Sequence, residues 1–160
     1  MALTASEILK LVPQQRPMRF IDAIEEVDDE HITATYTWKD EDCAGHFPGN
    51  PVVPGVKLIE MAAQVGNVAW GIYHLSLDRP VEVLSGLLGV FAGVEEGSFK
   101  RVVRPGEKVR ATAYFNDEGY FRNNKIMALV EIAFAGGAKD GEIVFTGKTS
   151  GMWVPKEEVE

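Results

Sequence analysis

An α+β fold, in which one long buried helix is wrapped by an antiparallel sheet, is what this 160-residue sequence predicts. Three observations carry that expectation. From Gly55 to about Tyr73, apolar residues such as Leu58, Met61, Val65, Val68 and Ile72 leave little polar surface around a helical wheel, and a helix apolar nearly all round is a buried one. Ile32, Ala34, Tyr36 and Trp38 alternate with Thr33, Thr35 and Thr37, a strand pattern rich in β-branched and aromatic residues. After the helix, stretches near 82–95, 98–104, 107–116, 124–135 and 142–153 read as strands joined by turns at Pro105-Gly106, Asn116 to Gly119 and Gly136-Gly137. A sheet wrapped around a single helix leaves an open edge, so dimerisation is expected to complete it.

The remaining elements follow in order. Ser6 through Leu11 reads as a short helix capped by Thr4 or Ser6. Pro13 and Pro17 bracket an irregular stretch that ends in apolar Phe20-Ile21, and the segment from Asp40 to Pro54 is rich in turn residues. No repeat, low-complexity run or Pro/Ser linker divides the chain, so residues 1–160 are expected to form a single domain. The N-terminus lacks a basic start followed by an apolar run, and no unbroken apolar stretch approaches a membrane span. A lone cysteine, Cys43, suits a reducing compartment, and a cytoplasmic location is expected.

The net charge of −8 argues against nucleic acid as a partner. The positive charges are nevertheless concentrated, with Lys100, Arg101, Arg104, Lys108 and Arg110 placing five of the 16 basic residues in eleven positions. Such a cluster is either a solvated strand edge that blocks wrong pairing or a docking site for an acidic partner.

Chemistry is concentrated between His46 and Asn67. A helix this apolar should not carry Glu60 unless the carboxyl has a purpose, because burying a carboxylate is costly. Residues 60, 64 and 67 share one helical face, so Glu60, Gln64 and Asn67 form a polar stripe, either a satisfied buried network or a functional surface. Pro54 and Gly55 sit where the helix begins, and the Gly55 N–H at its positive end is a natural donor to an oxygen that becomes negative during reaction. His46 lies on a loop stiffened by Pro48, Pro51 and Pro54, so the segment supplies an acid/base pair plus an oxyanion donor.

The run His46-Phe-Pro-Gly-Asn-Pro-Val-Val-Pro-Gly-Val-Lys-Leu-Ile-Glu60-Met-Ala-Ala-Gln64 closely resembles the core motif of bacterial (3R)-hydroxyacyl-acyl-carrier-protein dehydratases, in the branch with a catalytic glutamate. Pro13 to Ile24, Phe91 to Glu95 and Phe99 to Glu107 are similar to the same family, in the expected order. The resemblance implies a hot-dog fold whose paired subunits share their active sites, the histidine of one facing the glutamate of the other. It implies that His46 removes a proton from C2 of a 3-hydroxyacyl thioester and that Glu60, as the acid, helps the C3 hydroxyl leave as water. Gly55 would hold the thioester oxygen, and Gln64 would orient Glu60. It further implies dimers that assemble into hexamers, and acyl carrier protein docked on a basic surface, here Lys100, Arg101 and Arg104. No cofactor and no metal is called for.

Four positions depart from the family pattern. Asp42 and Cys43 stand where an aromatic pair is usual, Val90 where tyrosine is common, and Lys57 where an apolar residue is common. Lys57, three residues before Glu60, is within reach of that carboxyl on a helix. Two other functions compete. A hot-dog thioesterase would want a carboxylate positioning a water, and a non-catalytic acyl-thioester-binding module would have no need of the His46/Glu60 pair. Coenzyme A as the thioester carrier stays open beside carrier protein.

Overall fold

The structure, a computed structural model, describes residues 2–159. It opens with α1 (Ala5–Leu11), whose capping box is complete. The Thr4 hydroxyl accepts the Glu7 N–H, and the Glu7 carboxylate accepts the Thr4 N–H at 2.7 Å. Strands β1 (Ala23–Val27) and β2 (His31–Thr37) follow, then a 3₁₀ turn at Asp40–Cys43. The central helical unit comprises α2 (Gly55–Ala63), a π-helical turn (Gln64–Ala69) and α3 (Trp70–Ser76). After the short α4 (Val81–Leu84) come β3 (Leu87–Phe99), β4 (Lys108–Tyr114), β5 (Tyr120–Arg122), β6 (Lys125–Phe134) and β7 (Ile143–Pro155).

The strands pair antiparallel in one sheet of order β1-β2-β4-β6-β7-β3, with β5 pairing β6 off that path. The expected wrapping of a buried helix by an antiparallel sheet is therefore what the chain forms. Every residue from Met61 to Tyr73 is buried. Close approach of helix to sheet depends on glycine at position 66, where a Cβ would lie 2.9 Å from a methyl of Val130. Phe20, Tyr36 and Trp38 pack together in edge-to-face and tilted contacts, with ring centroids 4.9–5.7 Å apart. Among the described residues no helix is long and apolar enough to cross a membrane.

Several expected boundaries move. The central helix runs three residues beyond Tyr73 and is interrupted by the π turn. The strand expected from 82 begins only at Leu87, because Pro80 starts the turn of α4. The stretch 98–104 is strand only to Phe99. Beyond it the Lys100 N–H still reaches the Val144 carbonyl at 2.7 Å, and the Val103 carbonyl then accepts the Val53 N–H at 2.8 Å. The basic cluster therefore starts on a loop rather than along a strand, and strand alternation does not sort Lys100, Arg101 and Arg104. β1 and β5 were not foreseen, being short segments with mixed polarity.

One edge of the sheet is β3, thirteen residues long. Phe91, Val94 and Phe99 on it are 40–51% exposed, and Phe47 and Val56 from the neighbouring loop and helix start are exposed as well. A long edge strand with exposed apolar side chains is a surface that pairs.

Candidate active site

The 46–54 loop is held by its own backbone. The His46 N–H bonds the Cys43 carbonyl, the Val52 N–H bonds the His46 carbonyl at 2.8 Å, and Phe47 and Asn50 exchange both backbone bonds. The His46 ring stacks on Phe47, with centroids 4.0 Å apart. Its Nδ1 lies 2.9 Å from the Val52 carbonyl. A carbonyl only accepts, so Nδ1 carries the hydrogen and Nε2 is left as the bare, basic nitrogen. The loop geometry thus sets the tautomer that a general base requires.

The loop leads into α2, where Pro54 caps and Gly55 takes the first helical position. The Gly55 N–H belongs to the first turn, whose donors find no carbonyl within the helix. Glycine is needed here, since a Cβ would lie 3.1 Å from the Phe99 ring that covers the helix start.

Gln64 is fully buried, and its amide is saturated. It accepts the Phe20 N–H at 2.8 Å, donates to the Met18 carbonyl at 2.6 Å, and donates to Glu60 Oε1 at 2.9 Å. The Glu60 carboxylate is thereby fixed on the wall of a cleft. Gln64, Asn67, Gln14, Val90, Phe91 and Met152 also line this cleft. Glu60 is half-buried, more open than the apolar helix suggested, because the cleft reaches it.

The structure brings Glu60, Gln64 and Asn67 together on one wall, while His46 does not line that cleft. Lys57 turns away from Glu60 and donates from Nζ to the Asp42 carbonyl at 2.8 Å. Asp42 itself is buried and accepts from the Tyr36 hydroxyl at 2.7 Å and the Lys39 N–H at 2.9 Å. It anchors the approach to the histidine loop, and the carboxylate at its side raises the Tyr36 hydroxyl far above its usual pKa, after burial as the larger cause. At the position of Val90, the aromatic ring on the cleft comes instead from its neighbour Phe91.

In the basic cluster, Arg110 pairs with Glu25 at 2.5 Å, and the Arg101 guanidinium lies 3.7 Å from Glu142. Arg104 donates to Asn50 Oδ1 at 2.9 Å and to the Pro51 carbonyl at 3.2 Å, so it braces the His46 loop. Sequence reasoning missed this brace and also missed Gln14. The first is a contact across fifty residues, and the second lies in a stretch that shows no periodicity.

Comparison with known proteins agrees with this architecture. Among solved structures, the dehydratase heterocomplex ApeI:P from Xenorhabdus doucetiae superposes with a TM-score of 0.72 at 18% identity, covering 98% of this chain and 95% of that one. The thioesterase HI1161 from Haemophilus influenzae gives 0.65 at 17% identity, covering 97% and 93%. These neighbours define the fold as the hot-dog fold. The ApeI dehydratase family model matches residues 24–128. The 3-hydroxyacyl-acyl-carrier-protein dehydratase FabZ of Lactococcus lactis is 32% identical over 147 residues, covering 91% of this chain and 87% of the relative. FabZ of Enterococcus faecalis is 35% identical over 146 residues, covering 84% and 98%. The chain belongs to the hydroxyacyl-thioester dehydratase family of these proteins.

Gln64 provides the most direct check on how the site is built. Gln64→Leu would strand the Phe20 N–H and the Met18 carbonyl and release Glu60. The expected loss is about 1–3 kcal/mol of unfolding free energy for the buried groups left unsatisfied, read by denaturant titration, together with reduced turnover. Unchanged stability and unchanged turnover would show that the amide network does not hold the carboxylate.

Proposed function

We propose that this chain dehydrates (3R)-hydroxyacyl thioesters carried on acyl carrier protein to trans-2-enoyl thioesters, as a step of fatty-acid-type biosynthesis. The observation that carries this reading is the Glu60 carboxyl, held by Gln64 on a cleft wall that also presents the apolar side chains an acyl chain needs. His46 Nε2 takes the C2 proton, Glu60 as the acid gives its proton to the C3 hydroxyl, the C3–O bond breaks and the C2–C3 double bond forms. The Gly55 N–H, at the positive end of α2, stabilises the thioester oxygen as charge builds on it. Water leaves, and proton exchange between imidazolium and carboxylate through solvent restores the starting state.

His46 of one subunit would serve Glu60 of another. Support comes from its place outside the Glu60 cleft and from the apolar β3 edge beside it, which a second copy would cover. Assembly of such dimers into hexamers belongs to the same reading. A cytoplasmic site of action is proposed with it, on the free, buried thiol of Cys43.

His46→Ala and Glu60→Gln should each lower turnover about 10²-fold or more, the usual size for a general acid or base. The measurement is enoyl formation from a 3-hydroxyacyl carrier-protein series. Either variant matching the wild type on its best substrate would remove that residue from the mechanism.

Lys100, Arg101 and Arg104 are proposed to dock the carrier protein. All three are exposed, and Arg104 contacts the histidine loop through Asn50 and Pro51. With both proteins acidic, attraction must come from a local patch acting within roughly 8–10 Å at physiological salt. Reversing Lys100 and Arg101 to glutamate should raise KM for carrier-bound substrate while barely affecting a small thioester, and should flatten the salt dependence. Equal losses on both substrates would make the cluster structural.

A further inference from the structure

Asn67 stands seven residues beyond Glu60 on the same cleft wall, roughly 10 Å along the helix at its usual rise. It is 5% exposed. The protein fixes which way its amide faces: Nδ2 donates to the Thr149 carbonyl at 3.1 Å, and a carbonyl only accepts. Oδ1 is thereby turned to the other side, where no protein donor reaches it. Gln14 lines the same cleft, and its amide oxygen is likewise buried without a protein donor. Gln64 offers the contrast, since on the same stripe every polar atom is partnered.

Buried side-chain polar atoms usually find a partner, and of the seven without a protein partner among the described residues, these two acceptors share one cleft. The backbone is shaped to the same end. Asn67 lies in the π turn, where the Trp70 N–H reaches the Val65 carbonyl, and such turns interrupt helices most often at functional sites. On the facing strand, glycine at 151 makes the space. A Cβ there would lie 3.4 Å from that of Asn67 and 3.0 Å from the Val90 carbonyl. The same cleft is lined by carbon-rich side chains, among them Ala63, Val68, Ile126 and Met152.

We infer that Asn67, assisted by Gln14, selects 3-hydroxyacyl groups that carry a second hydrogen-bond donor, a hydroxyl, several carbons beyond C3. This rests on the cleft being the acyl site of the proposed dehydration. A plain alkyl chain of the same length would bury the Asn67 oxygen without a donor. A hydroxyl at the matching distance gives its proton to that oxygen, and the apolar wall takes the carbons between.

The test compares ω-hydroxylated and unsubstituted 3-hydroxyacyl thioesters of graded length on the purified enzyme. The wild type should favour the hydroxylated member at one chain length by about tenfold or more in kcat/KM, the size expected when a buried acceptor is satisfied rather than stranded. In Asn67→Leu that ratio should fall to about one or reverse, and Gln14→Leu should reduce it in part, providing a second reading should Asn67→Leu not fold. Binding of the corresponding saturated, unreactive thioesters, followed by calorimetry, should show the same preference independently of turnover. Absence of dehydration with every substrate would overturn the reaction assigned to the cleft. Dehydration without any preference at any length, or a preference that survives Asn67→Leu and Gln14→Leu, would overturn this inference and leave solvent as the partner of Asn67.

Discussion

The Gln64 side chain, buried to the last atom, has to satisfy an amide with no water to help it. It does so by joining three parts of the chain. The Phe20 N–H and the Met18 carbonyl come from the irregular N-terminal segment, and the Glu60 carboxylate from one turn earlier on the helix. The same residue thus closes the N-terminal segment over the helix and fixes the carboxyl proposed to act as the acid. Removing it costs the fold and the site together, because buried donors and acceptors are cheap when paired and expensive when stranded.

Around that point the other constraints arrange themselves by reach. The helix approaches the sheet closely where Gly66 faces Val130 and Gly71 faces Trp153, and the cleft lies where Gly89 and Gly151 withhold side chains beside Val90 and Trp153. The histidine loop is braced from the far side by Arg104 and from below by Lys57 through the Asp42 carbonyl. Both cations sit close to the proposed catalytic groups without pairing with either, which leaves the acid and the base to each other.

Much of this was legible in the sequence, for identifiable reasons. The central helix announced itself because Leu58 through Ile72 is apolar all round, and β2 did so through strict alternation. The site residues stood out because a charged residue in an apolar helix and a proline-braced histidine are both improbable without a use. What could not be read depends on distant partners. The π turn at Gln64–Ala69 has no local code, and it packs against β4, β6 and β7, elements distant in sequence. The directions of Lys57 and Arg104 are set by carbonyls fifteen and fifty-three residues away in sequence. The stretch after Phe99 looked like a strand by composition but leaves the sheet, its Val103 carbonyl taking the Val53 N–H instead.

The central claim is that His46 and Glu60 act together across a subunit boundary, and a mixing experiment addresses it directly. His46→Ala and Glu60→Gln, each inactive alone, are combined under conditions where subunits exchange, and dehydration is followed in the mixture. Hybrid dimers carry one site with both groups and one with neither, so activity should return, in proportion to the hybrid fraction. No recovery, with exchange demonstrated by labelled subunits, would contradict the shared site and place both groups within one chain.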